Sequence, residues 1–253
     1  MHKTTTSPAL IPIKLPIPQV LAFSTTRQTP QTSCKSNQSY DDFNLALHVG
    51  DEPHQVLKNR ASLLDYLPAG ADIQWLNQVH GDNVVKVASV THQKIDADAV
   101  ITQQKNLALA IMTADCLPIV LADESGSEIA VIHAGWKPLA KNIIAKTIQV
   151  MQTESSKLIA WLGPCISQKH FEVGSEVKAQ FTSLNTSYEQ AFVPGERGKF
   201  FANLQYIANQ QLSELGVTNR QVNTACTFAN QSQFFSYRRE QTTGRMATIA
   251  CLT

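Results

Sequence analysis

Short apolar runs separated by polar breaks fill the chain, and the longest apolar stretch lies near its middle, at 107–136. There LALAIMTADCLPIVLAD and EIAVIHAGW read as two strand-like runs parted by the polar turn Glu124-Ser125-Gly126-Ser127. Before it, VLAFSTT (20–26) has strand composition, and FNLALHVGD alternates as a short strand closed by Gly50. Residues 1–19, broken by Pro8, Pro12, Pro16 and Pro18, predict an irregular arm, and the polar segment that follows Arg27 predicts a loop. Val56, Leu57, Leu63, Leu64 and Leu67 fall at near-helical spacing, which predicts a helix over 53–67 ended by Pro68 and Gly70.

QWLNQVHGDNVVKVAS (74–89) predicts two strand segments hinged at Gly81, and DADAVIT (96–102) another strand. A helix is expected over 138–152, with Pro138 in its first turn and Leu139, Ile143, Ile144, Ile148 and Met151 on one face. LIAWLGPCIS reads as a buried strand entering a Gly-Pro turn, and SEVKAQF and LQYIANQQLSELG as helices. VNTACTF and MATIACL read as late strands around the loop SQFFSYRREQTTGR. Strands and helices alternate irregularly, and several strands are neighbours in the chain. The expected class is therefore α+β (mixed α/β), with a mixed β-sheet core flanked by helices rather than a doubly wound parallel sheet. One domain over 20–253 behind the arm 1–19 is expected.

Composition narrows the function classes. The chain has 253 residues, 43% hydrophobic and 16% charged, with a net charge of +1. That is a globular balance, with no bulk attraction for nucleic acid or an anionic membrane. Cys34, Cys116, Cys165, Cys226 and Cys251 form no CxxC pair, which points to reduced thiols and a cytoplasmic setting. No apolar stretch has signal-peptide or membrane-spanning length. A monomer is expected.

Three side chains share one local context. Cys116 and His133 each lie in an apolar run and are followed within two residues by a breaker, Pro118 and Gly135. His80 precedes Gly81 after the strand-like QWLNQV. A reactive side chain where a strand breaks sits at a sheet rim, held by core but open to a cleft. One Cys and two His are a known catalytic zinc set that leaves a fourth position for water or substrate. The same residues also fit a Cys116 nucleophile activated by His133 or His80. The plainer reading of the pattern is a buried cysteine and two hydrogen-bonded histidines. Strand alternation aims Asp115 to the face opposite the thiol.

Arginines form the second group: Arg27 at a strand end, Arg60 on the first helix, and Arg238, Arg239 and Arg245 in the late loop. The planar guanidinium suits phosphate or carboxylate. Arg238 and Arg239 read either as a solvated pair with Glu240 or, beside a metal rim, as holders of an anionic co-substrate. GxGxxG, GxxxxGK[ST] and the HxE…PCxxC deaminase signature are absent, and the seven histidines form no HxH cluster.

Together NLALHVGD, NRASLL, WLNQVHGDNV, DADAVIT, MTADCLPIVLAD, AVIHAGWKPLA, AWLGPCIS, FEVGSEV and FFSYRRE-TTGRMA resemble the YfiH-like family. Its members have been described as laccase-domain polyphenol oxidases, as a peptidoglycan editing factor and as purine nucleoside enzymes. The motifs run in family order from about Phe43 onward. The resemblance implies that His80, Cys116 and His133 bind zinc (or copper) and form the catalytic centre. It also implies purine nucleosides and phosphate as substrates, with phosphorolysis of adenosine, inosine, guanosine and methylthioadenosine, and deamination of adenosine to inosine. Motif position makes Arg60 and Arg27 the arginines expected to neutralise the phosphate, with Gln78 and Asn44 as expected polar contacts to the substrate. Two residues depart from the family pattern: Ala229 occupies the second cysteine position of the family's CTYC segment, and Lys137 follows HAGW where arginine is commoner. A Cys-His hydrolase acting on a peptidoglycan precursor and a copper phenol oxidase are the alternatives.

Overall fold

The fold is built as a sandwich, and a computed structural model describes residues 9–30, 40 and 43–253 of it. In chain order the first elements are β1 (Leu10–Pro12), β2 (Val20–Thr25), α1 (Pro53–Ser62), β3 (Asp72–Gln74), β4 (Val84–Lys86) and β5 (Ala99–Thr102). The central stretch forms β6 (Leu107–Thr113), β7 (Leu117–Asp123) and β8 (Ile129–Ala134), followed by α2 (Trp136–Ala140) and α3 (Ile143–Val150). Then come β9 (Leu158–Leu162), β10 (Glu172–Val173), α4 (Ser175–Leu184), β11 (Phe192–Pro194) and β12 (Phe200–Ala202). The last are α5 (Leu204–Glu214), β13 (Asn219–Val222) and β14 (Met246–Leu252).

Two mixed sheets carry the architecture, ordered β1-β2-β14-β6-β3 and β13-β9-β7-β8-β5-β4; β10, β12 and β11 make a small antiparallel third sheet. Side-chain alternation shows how the large sheets face each other. In β6, Leu107, Leu109 and Ile111 join a core cluster with Val120 of β7, Val131 of β8 and Ile159 of β9. Ala108 and Ala110 point the other way, toward Phe43, Leu45 and Leu63. Ile119 and Leu121 of β7 pack with Ile143, Phe181, Ile207 and Leu212 of the helices. Both faces of β6, β7 and β8 are thus covered, which is why these strands read as unbroken apolar runs. Burying one such Ile or Leu contributes about 1.5–3 kcal/mol.

The mixed class expected from the chain holds, but the structure corrects several boundaries. LALAIMTADCLPIVLAD is two strands, β6 and β7, in different sheets, and Ala114-Asp115-Cys116 is the crossing between them. Asp115 makes the bend with φ 92°, outside the range strands allow. FNLALHVGD is no strand. The Asn44 amide bonds both the N–H and the carbonyl of Ala46, so its side chain coils the backbone that a ladder would extend. The helix over 138–152 is broken in two at Asn142, whose φ of 59° is left-handed and readily adopted by asparagine. The helix over 53–67 ends at Ser62 and tightens into a 3₁₀ turn, and VNTACTF contributes only Val222 to β13. Of the arm, Leu10–Pro12 pairs antiparallel with β2 at a sheet edge, where Pro12 is tolerated; residues 1–8, and most of the loop after Arg27 with Cys34, lie outside the described residues. No helix of the described residues is long and apolar enough to cross a membrane.

Candidate metal centre

The β6–β7 crossing delivers Cys116 to one end of the sandwich, and β8 delivers His133. His133 continues the series Ile129, Val131 on the face between the sheets and is buried. Cys116, directly before β7, is brought beside His133 of β8, since Leu117 pairs with Ala134 and Pro118 with His133. His80 comes from the irregular link between β3 and β4 and is exposed, with a left-handed φ of 55°. One donor atom from each of the three lies within 4.8 Å of the others, and the two imidazoles meet edge to face at 4.8 Å.

One buried carboxylate orders two of these side chains. Asp98, fully buried, accepts from His133 Nδ1 at 2.7 Å and from the backbone N–H groups of Val79, His80 and Gly81 at 3.2, 3.1 and 2.7 Å. These bonds hold the left-handed His80 turn in place and anchor the His133 ring through Nδ1, leaving Nε2 facing the cleft. Burial pushes the Asp98 carboxyl up, but His133 and the N–H groups outweigh it and hold it below the usual range. Burial likewise raises the Cys116 thiol, yet His133 and His80 bring it down to about 6. Burial lowers His133, while Cys116 and Asp98 lift it to about 9. A thiolate beside imidazole nitrogens is a soft-to-borderline donor set, and the carboxylate behind a ligating histidine is the usual support, so these residues fit zinc or copper. Gly135 is needed here because a Cβ on it would lie 2.9 Å from Cys116 Sγ.

The three donors open onto a cavity of about 550 Å³, a size suited to a small organic substrate. Trp136, Phe171 and Tyr237 give it aromatic walls, and His48 adds an imidazole and Arg238 and Arg245 two guanidinium cations. Asp115 also lines the cavity, from the irregular crossing between β6 and β7 where strand alternation does not apply. The Asp115 carboxylate accepts from Thr227 Oγ1 at 2.6 Å, Ser236 Oγ at 3.0 Å and the Arg238 N–H at 2.7 Å, which ties the 227–238 loop to the crossing. Burial lowers His48, and the charges of Arg245, Arg60 and His80 lower it further.

The structure divides the other expected contacts. Gln78 lines the cavity, but its amide makes a two-way pair with the Met112 backbone at 2.7 Å in each direction, a brace between the His80 link and β6. Asn44 is fully buried and bonds Ala46, Asp51 and the Arg245 N–H, so it supports Arg245 rather than lining the cavity. Arg27 is buried on the Gln231 carbonyl and over the Phe235 ring, apart from the cavity walls. Arg60 lies 3.9 Å over the Trp75 ring and donates to the Leu45 carbonyl; burial pushes it down to about 10. Sequence reasoning missed Asp98 and His48. DADAVIT offered an acidic residue beside an apolar run as the only hint of the first, and nothing local distinguished the second.

Known proteins share this arrangement of strands and motifs. Residues 22–253 match the model of a family described as multi-copper polyphenol oxidoreductase laccase. A Haemophilus influenzae protein named purine nucleoside phosphorylase is 38% identical over 230 residues, covering 90% of this chain and 92% of that one. The Escherichia coli purine nucleoside phosphorylase YfiH is 36% identical over 213 residues, covering 84% and 87%. Among solved structures, a Neisseria meningitidis protein superposes with a TM-score of 0.91 at 36% identity, covering 96% of this chain and 99% of its own. A Bacillus licheniformis hypothetical protein YfiH superposes at 0.89 with 27% identity, covering 98% and 97%.

Proposed function

Because the chain belongs to the multi-copper polyphenol oxidoreductase laccase family, and relatives matching most of its length carry the name purine nucleoside phosphorylase, we propose that it is a metal-dependent purine nucleoside phosphorylase. The proposal extends to methylthioadenosine phosphorolysis and to deamination of adenosine, with zinc as the metal. The observation that carries it is the meeting of His80, Cys116 and His133 at the mouth of a cavity large enough for a nucleoside. Bound zinc would supply a Lewis acid and acidify a water to a pKa of about 7. The chain's own contribution is positional. Asp98 holds His133 and the His80 turn in register, and Trp136, Phe171 and Tyr237 offer aromatic walls to a purine.

Metal-quantified protein given adenosine, with and without phosphate, tests the reading. Adenine and ribose 1-phosphate are expected only with phosphate, and inosine under both conditions. His80→Ala should lower bound zinc and turnover together; turnover that survives the loss of zinc would sink the metal-dependent mechanism.

A second reading has its own observation. Cys116 held near 6 beside His133, itself backed by Asp98, is a nucleophile–base–carboxylate arrangement. It supports a Cys-His hydrolase acting on a peptidoglycan precursor. Hydrolysis that resists chelators and yields to thiol alkylation, with no adenine released from adenosine, would select it. A copper phenol oxidase fits less well, since the described residues hold one such donor group where four-electron reduction of O₂ uses clustered coppers.

A further inference from the structure

Three arginines sit in the loop between β13 and β14, and their surroundings differ sharply. The Arg239 guanidinium is fully engaged with the carbonyls of Thr227, Phe228 and Phe234 and with Glu240. It is a structural clamp. Arg245 hydrogen-bonds through Nη1 alone, to the carbonyls of Thr243 and Gly244, and Arg238 through Nη1 alone, to those of His170 and Glu172, with its guanidinium carbon 5.3 Å from the centre of the Phe171 ring. Both line the cavity, and neither forms an ion pair with a carboxylate among the described residues.

One acid shares the cavity walls and acts on Arg245 by charge, with no ion pair between them. Asp115 lines the same cavity, but its two carboxylate oxygens already accept three hydrogen bonds from the loop. One of these comes from the Arg238 backbone, so Asp115 fixes the arginine's position without neutralising its side chain. His48 adds an imidazole to the same walls, and Arg245 and Arg60 lie close enough to act on its charge. Two guanidiniums fixed by one nitrogen each, in one cleft and without a carboxylate partner, are a receptor for a planar or tetrahedral oxyanion. The Tyr237 ring, 5.7 Å from the Arg245 guanidinium carbon, stiffens that side chain further.

We infer that Arg238 and Arg245 form an oxyanion subsite of the cavity, set against the wall that carries His80, Cys116 and His133, and that its occupant is inorganic phosphate. The identity of the anion rests on the phosphorylase reading; the existence of the subsite does not. Arg238 and Arg245 replace Arg27 and Arg60 as the phosphate-holding pair, because they line the cavity whereas Arg27 and Arg60 do not, and the latter rest on Gln231 and Phe235 and on Leu45 and Trp75.

The test uses the full-length protein and inorganic phosphate, titrated calorimetrically into wild type, Arg238→Gln and Arg245→Gln. Removing either charge-assisted hydrogen bond should weaken phosphate binding about tenfold or more, and the KM for phosphate in adenosine phosphorolysis should rise with it while the KM for adenosine moves less. Both substitutions also remove bonds to two carbonyls; if the Arg245→Gln melting curve shows a misfolded protein, Arg238→Gln and Arg238→Lys, at the exposed position, carry the comparison, with lysine restoring charge but not the fork. Phosphate affinity unchanged in folded variants overturns the subsite. Adenosine 5′-monophosphate binding more tightly than inorganic phosphate, through the same arginines, would overturn phosphate as the occupant in favour of a nucleotide phosphoryl group. Arginine-dependent phosphate binding without nucleoside turnover leaves the subsite standing and removes the phosphorylase reading. Turnover with a phosphate KM indifferent to both substitutions does the reverse.

Discussion

Two buried aspartates organise the surroundings of the cavity, and they do so by different means. Asp98 directly precedes a regular strand and reaches residues close in the sheet: one imidazole and the three consecutive N–H groups of the His80 turn. Asp115 sits at an irregular crossing and reaches a loop more than a hundred residues away. The first wall is thus rigid because sheet registry and a carboxylate agree; the second depends on one side chain to hold an otherwise irregular segment. The difference is one of redundancy. Of the donors that must meet within a few ångströms, His133 is on the ladder, Cys116 directly precedes β7 and His80 is held by Asp98, whereas the arginines are carried on a loop that Asp115 anchors.

Asp98→Ala challenges this contrast most severely. Removing a buried carboxylate from under His133 and three N–H groups should cost about 3–5 kcal/mol of stability and about 10–100-fold in metal affinity, read by denaturant titration and metal analysis. Unchanged metal content would deny Asp98 its role. Asp115→Ala should cost less, about 2–3 kcal/mol, and should raise amide exchange across 227–238 while bound metal stays constant. If metal is lost as readily as with Asp98→Ala, the two walls are not separately anchored. Gly135→Ala puts a methyl against Cys116 Sγ and should cost about 1–3 kcal/mol, with weakened metal binding measured by chelator competition. Ile119→Val, on the helix-facing side of β7, should cost about 1 kcal/mol and leave metal affinity untouched.

Much of the first wall was legible in the chain. Cys116 and His133 stood out as polar residues ending apolar runs, and the runs proved to be strands buried on both faces. His80 was legible for the same reason, a reactive side chain beside a glycine break. Less was legible where side chains compete with the backbone. FNLALHVGD alternates like a strand, but Asn44 folds it into a turn, and Asn142 splits a helix whose apolar face is continuous. The arginines were the least legible. Arg27 and Arg60 lie in family-like motifs, and only their neighbours reveal that Phe235 and Trp75 already hold them.

Hydrophobic periodicity, turn residues and donor chemistry are local properties. The strands, the breaks and the soft-to-borderline donor types of His80, Cys116 and His133 could therefore be read from short windows. Which sheet each strand joins is not local: the step from β6 to β7 across Asp115 depends on pairing with β14 in one sheet and β8 in the other. The same holds for charge. A guanidinium's role follows from whether its hydrogen bonds are already satisfied, and for Arg238, Arg239 and Arg245, close in the chain, only tertiary contacts separate the clamp from the two that face the cavity.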